Sequence, residues 1–185
     1  MAYTDCASIA LAGIVMDCSS SIGGIKRVWL ARYADVSEVT VTDNEISAIT
    51  LASGAKWYEY QFRKNTGSLT STLNVDDTNG NNYITSELSL VFSKMETVKR
   101  LEMSALAVGA VVAVVEDSNG KVWYLGKDDY VSASAGTGET GTAKEDRNAY
   151  TVTLSTDSTD WPFELTDEAF AAVKASAAAK VTPGQ

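Results

Sequence analysis

From Ser68 to Ser93, apolar and polar residues alternate in two runs that meet at Asn79-Gly80. A period of two sends successive side chains to opposite faces of a strand. Asn-Gly between two such runs signals a hairpin, because a type I′ turn needs φ > 0 at both central residues. With Asn79 and Gly80 as those residues, Val75 faces Ile84, Leu73 faces Ser86, Ser71 faces Leu88 and Leu69 faces Leu90. On the other side Asn74 faces Thr85, Thr72 faces Glu87, Thr70 faces Ser89 and Ser68 faces Val91. The expectation is a long hairpin with one mainly apolar face and one face of hydroxyls, amide and acid. Such a ribbon suits a wall better than a catalytic pocket.

The same reading predicts strands over Ile25 to Tyr33, Val36 to Val41 and Ile46 to Leu51. An aromatic strand follows over Lys56 to Lys64, in which Trp57, Tyr58, Tyr60 and Phe62 alternate with polar groups. After the hairpin the period lengthens, placing Val98, Leu101, Ala105 and Leu106 on one side of a short helix. Ala110 to Val115 is apolar and β-branched, as befits a strand buried on both faces. Asp117-Ser118-Asn119-Gly120 turns it back into Val122 to Leu125. Gly136 to Asn148 is small, polar and without periodicity, and reads as a loop. Tyr150, Val152 and Leu154 alternate with Thr151, Thr153 and Ser155 in a further strand. A C-terminal helix runs from Thr166 to Lys180, with Thr166 as N-cap, Asp167 and Glu168 at its positive end and Leu165 stapled to Phe170. The fold class is mainly β: a β-barrel or sandwich with a long hairpin, one short central helix and a C-terminal helix. One domain is expected over 1–185, with an N-terminal arm (1–24), a β core (25–165) and a C-terminal helix and tail (166–185).

Composition narrows the function classes. At 185 residues and 45% hydrophobic, the chain is long enough to build a core without disulfide staples. Its formal charge of −9, from 24 acids and 15 bases, repels nucleic acid and anionic membranes. An acidic surface still serves beside DNA that must pass without sticking. No apolar run reaches the roughly 18–20 residues that span a bilayer. Ala7 to Met16 is apolar but lacks a basic n-region, carries Asp5 early and ends in Asp17-Cys18, so a buried N-terminal strand or arm is expected rather than a signal peptide. A bridge between Cys6 and Cys18 is geometrically open, and two free buried thiols are the expectation.

Candidate chemistry is sparse. The chain has no histidine, which removes Ser-His-Asp and Cys-His systems and the usual zinc and iron sites. Carboxylates abound, but no pair stands out as a glycosidase dyad. Gly136-Thr137-Gly138-Glu139-Thr140-Gly141 matches G-x-G-x-x-G, yet the following residues are a charged loop rather than the helix a dinucleotide site needs. Asp76-Asp77-Thr78-Asn79-Gly80 and Asp117-Ser118-Asn119-Gly120 lack EF-hand spacing and read as turns. Adjacent aromatics at Trp57-Tyr58 point to opposite faces, so a sugar platform there has to share its rings with the core.

The order of elements resembles the tail-tube proteins of bacterial viruses and related injection machines. The stretches that carry the resemblance are Gly67-Ser68-Leu69-Thr70-Ser71-Thr72-Leu73, the helix near Glu96 to Leu106, and Thr140-Gly141-Thr142-Ala143-Lys144-Glu145-Asp146 followed by Tyr150-Thr151-Val152-Thr153-Leu154. It covers roughly residues 25 to 165, and the alanine-rich C-terminal helix departs from it. The resemblance implies rings, commonly hexameric, whose hairpins join into a barrel around a lumen that carries DNA. Thr70, Thr72, Asn74, Thr85, Glu87 and Ser89 would then line the lumen. Leu69, Leu73, Val75, Ile84, Leu88, Leu90 and Phe92 would pack inward. Asn79 and Gly80 would form the hairpin turn, and the loop with Gly136, Gly138, Gly141 and Lys144 would touch the next ring. The reading is a self-assembling virion structural protein of a tail tube or tail channel, with no enzymatic activity and no cofactor. It belongs in the virion tail and, during assembly, in the bacterial host cytoplasm. Its partners are further copies and other tail proteins; DNA passes without specific binding, and no membrane is entered. The alternatives are a β-sandwich module binding carbohydrate or protein, such as a tail adaptor or adhesin, and an enzyme working through carboxylates.

Overall fold

Strands without a polar face have to be covered on both sides, and two of them occupy the centre of this fold. The computed structural model, which describes residues 12–179, pairs Ile25–Arg32 (β1) antiparallel with Val111–Asp117 (β7), Val28 opposite Val115 and Leu30 opposite Ala113. Val122–Leu125 (β8) and Phe163–Glu164 (β11) extend this sheet on one side and Tyr58–Tyr60 (β4) on the other, in the order β11-β8-β7-β1-β4. One face of it presents Val28, Leu30, Ala113, Val115 and Leu125. The other presents Trp29, Ala31, Val112, Val114 and Tyr124.

The first face is covered by a four-stranded sheet of Gly67–Asp76 (β5), Asn81–Ser93 (β6), Ala149–Ser158 (β10) and Ser132–Glu139 (β9), in the order β5-β6-β10-β9. Its inward residues Leu88, Leu90, Phe92, Val152 and Leu154 complete one core. The second face is covered by the two-stranded ribbon Val36–Thr42 (β2) and Glu45–Leu51 (β3) and by the helix Asp167–Ala175 (α2). There Trp29 and Phe170 meet edge to face at 5.1 Å, a favoured aromatic geometry. Mainly β, with antiparallel sheets in a sandwich-like arrangement, the described chain contains two α-helices, α2 and Thr97–Val108 (α1). Among the described residues no helix is long and apolar enough to cross a membrane.

Several expectations change. Gly136 and Gly138 do not lie in a loop: both belong to β9, Gly136 opposite Val152 and Gly138 opposite Tyr150. The match to G-x-G-x-x-G is therefore an edge strand running into a turn, with no helix after it. Helix α1 buries Leu106 and half-buries Met103 and Lys99, leaving Val98, Leu101 and Val108 exposed. Lys99 belongs on the covered side because its ammonium donates to the carbonyls of Ser93 and Lys94 at the end of β6. The aromatic strand shrinks to Tyr58–Tyr60.

At the C-terminal side, α2 is shorter than Thr166 to Lys180 and ends at Ala175. Thr166 is its N-cap, Oγ1 accepting from the Ala169 amide at 3.2 Å, and Leu165 and Phe170 share the second core. Lys180 lies outside the described residues. Near the start, residues 12–16 are exposed rather than buried, and Cys18 is exposed and free. Cys6 lies outside the described residues.

Candidate functional site

The hairpin β5–β6 keeps the expected faces but not the expected register. Leu73 faces Ile84, Ser71 faces Ser86 and Leu69 faces Leu88, while Thr72 faces Thr85, Thr70 faces Glu87 and Ser68 faces Ser89. Every pair is displaced by two residues from the two-residue turn, and a displacement of two preserves the side on which each residue lies.

The cause is Asp76. Its carboxylate accepts from the amides of Thr78 and Asn79 at 2.9 and 3.2 Å and from Asn79 Nδ2 at 2.6 Å. These bonds close a four-residue loop, Asp77 to Gly80, in which only Gly80 has positive φ (+69°). The Asn79 side chain first, then its amide, hold the Asp76 carboxyl below the ordinary aspartate value.

All six residues assigned to the polar face lie together on it. Thr70, Thr72 and Glu87 are exposed; Asn74, Thr85 and Ser89 are half-buried. The face is wider than the hairpin, because β10 continues it with Thr153 beside Ser89, Ser155 beside Glu87 and Asp157 beside Thr85. Strand β9 adds Thr137 beside Thr151 and Ala135 beside Thr153. A polar chain crosses three strands: Asn74 Nδ2 donates to Thr85 Oγ1 at 2.9 Å, and Thr85 donates to Asp157 Oδ1 at 2.7 Å. No lysine or arginine occurs in β5, β6, β9 or β10; their charged residues are Asp76, Glu87, Glu139 and Asp157.

The inward face is apolar at its base and projects past the core at its tip. Ile84, Leu88, Leu90 and Phe92 are buried. Leu73 and Val75, expected inside, are 50% and 58% exposed, although Ile84, opposite Leu73, is buried. Ser71 and Ser86, the polar intruders on this face, satisfy each other at 2.8 Å.

Gly141 and Lys144 do lie in an exposed loop, between β9 and β10. Asp146 orders it by accepting from the amides of Thr142 and Ala143, both at 2.7 Å. Gly141 has φ +71°. Gly138 is held to glycine by packing: a Cβ there would sit 2.8 Å from the Tyr150 ring and 3.2 Å from the Met95 methyl. Gly138→Val is expected to destabilise the subunit by about 1–3 kcal/mol through overpacking. Gly136→Ala, whose Cβ would meet only the Thr151 carbonyl at 3.7 Å, is expected to be near-neutral. Thermal midpoints check the pair, and equal tolerance would contradict this placement of β9.

The aromatic group offers little platform. Trp57 is 1% exposed, Tyr60 and Phe62 are half-buried, and Tyr58 alone of the four is exposed. Tyr60 donates to Glu102 Oε2 at 2.9 Å, and burial, with the Glu102 charge, pushes its phenol above the usual range. Among the described residues no three His, Cys, Asp or Glu side chains gather as metal ligands.

Comparison with protein-family models, curated proteins and solved structures gives no significant match to this chain.

Proposed function

We propose that this protein is a structural subunit of a virus tail, assembling through the edges of its four-stranded sheet into rings that form a tube or channel for DNA, without enzymatic activity. The observation that carries the reading is the cation-free polar sheet with an unpaired strand at each edge. Among the described strands, β5 pairs only with β6 and β9 only with β10. Long open edges are templates for pairing with another chain, and closure of a barrel abolishes them.

The geometry suits closure. Neighbours in the sheet are antiparallel throughout, so β5 and β9 run in opposite directions. Rotation about an axis along the strands then sets β9 of one copy antiparallel to β5 of the next. Six such sheets, at about 4.8 Å per strand and a tilt of about 40°, enclose a wall roughly 50 Å across at the backbone. The hydroxyl-rich face would line the bore, where it carries no lysine or arginine to grip phosphate; its exposed ring, Tyr83, lies beside Asn74 near the tip. Partners are then further copies and other tail proteins, in the virion tail and, during assembly, the host cytoplasm.

Negative-stain microscopy and sedimentation across a concentration series test this. Rings or tubes are expected to appear as concentration rises. A stable monomer at every accessible concentration would sink the proposal. A tail adaptor, a β-sandwich module binding other proteins, is the second reading. The exposed Val98, Leu101 and Val108 on α1 favour it.

A further inference from the structure

The two ends of the hairpin differ in charge and shape. Its tip carries Asp76 and Asp77 and, close behind, the half-exposed apolar Leu73, Val75 and Tyr83. Asp77 is exposed and has no ion-pair partner among the described residues. The tip's backbone is ordered in advance by the Asp76 carboxylate, so docking it costs little conformational entropy. At the opposite end of the same strands lies a groove of about 700 Å³, between the loop that enters β5 and the loop that enters β10. Arg63, Lys94 and Arg147 line it together with Glu145 and Asp146, the latter accepting from the amides of Thr142 and Ala143. Lys94 is occupied by Glu96 at 2.7 Å and Arg147 faces Glu139 at 3.6 Å. The Arg63 guanidinium is exposed and unpaired among the described residues. Of the groove's three cations, Arg63 is the one without an ion pair among the described residues.

We propose that this groove receives the hairpin tip, Asp76 to Gly80, of a second copy, with Asp77 of one subunit against Arg63 of the next. The contact is head-to-tail: tip and groove are different surfaces on opposite ends of one hairpin. Because tip and groove lie at opposite ends of the hairpin, repeating the contact advances each copy along the strand direction and gives an open, propagating stack. That stack would have an axial repeat of about 33 Å, the roughly 43 Å length of the 13-residue β6 at about 3.3 Å per residue projected at a tilt of about 40°. Docking also covers Leu73, Val75 and Tyr83, which the subunit alone leaves in water. The inference rests on the self-assembly reading and supplies the contact between rings, where the open strand edges supply the contact within a ring.

Charge reversal tests it. Asp77→Lys and Arg63→Glu are each expected to raise the concentration needed for tube growth about tenfold or more, since each sets like charges face to face. The double variant, carrying both changes in one chain, is expected to restore growth. Thermal melts confirm that each variant folds. As a second measurement, Thr78→Cys with Asn65→Cys, in a chain with Cys6→Ser and Cys18→Ser, is expected to give a reducible ladder of linked copies on mild oxidation. Tubes that ignore both single reversals and give no ladder would overturn the tip-in-groove contact while leaving self-assembly standing. Monomers of the unmodified protein at every concentration would overturn both.

Discussion

The double variant Thr72→Lys/Glu87→Lys is expected to fold normally and to convert assembled particles from a passage into a trap for DNA. Both residues are exposed, so neither lysine is buried. They lie on the diagonal across β5 and β6, because Thr72 faces Thr85 and Glu87 faces Thr70; the new charges therefore avoid the directly opposed position that destabilises a sheet. Repeated around a ring, they place a belt of cations on a face that has none. Binding through phosphate neutralisation rises with each added contact and falls steeply with salt. Co-sedimentation of duplex DNA with assembled particles is expected to rise about tenfold or more near 50 mM salt and to fade towards 200 mM. Particles that retain no more DNA than the unmodified protein, with the lysines confirmed in place, would remove this face from the bore. So would loss of the folded subunit, because a solvated face tolerates such changes.

Trp57→Ala is expected to be the most damaging single substitution in the second core. Trp57 is 1% exposed, and its backbone ties the end of the described chain to the sheet, its carbonyl accepting from the Ala178 amide at 2.7 Å. Truncating a buried tryptophan costs about 3–5 kcal/mol, a large part of a typical domain's stability. Calorimetry is expected to show a correspondingly lower midpoint. Tyr58→Ala, at a side chain 55% exposed, is expected to stay within about 0.5 kcal/mol of the unmodified protein. A glycan-binding role for these aromatics would reverse the pattern, with Tyr58→Ala abolishing binding and Trp57→Ala leaving stability untouched.

Much of the architecture was legible from period alone. Hydrophobic contrast marked the faces of β5, β6 and β10, and the unbroken apolar run of β7 marked a strand covered on both sides. The register of the hairpin was not legible, because it depends on which side chain closes the turn. Asn79-Gly80 suggests a two-residue turn, and the Asp76 carboxylate imposes a four-residue one instead. Strand β9 was missed for a different reason. Ser, Ala, Gly and Thr present no apolar contrast, so the pairing of β9 with β10, and not its own composition, holds it in the sheet. The helix face was misjudged because Lys99 reads as solvent-facing, while in the fold its ammonium caps the carbonyls at the end of β6. The extension of the polar face on β10 had a visible signal: Thr151, Thr153 and Ser155 alternate as the hairpin does.

That the register moved by two while the faces stayed fixed has a consequence for how such a chain can vary. Inserting or deleting two residues at the Asp77–Gly80 loop re-pairs the strands and leaves hydroxyls on one side and leucines on the other. Removing one residue while the loop keeps its length turns one strand over relative to its partner and sets leucines among the hydroxyls. A length change that keeps the four-residue loop therefore preserves both faces only in steps of two, and an odd change preserves them only where the loop itself takes up the difference.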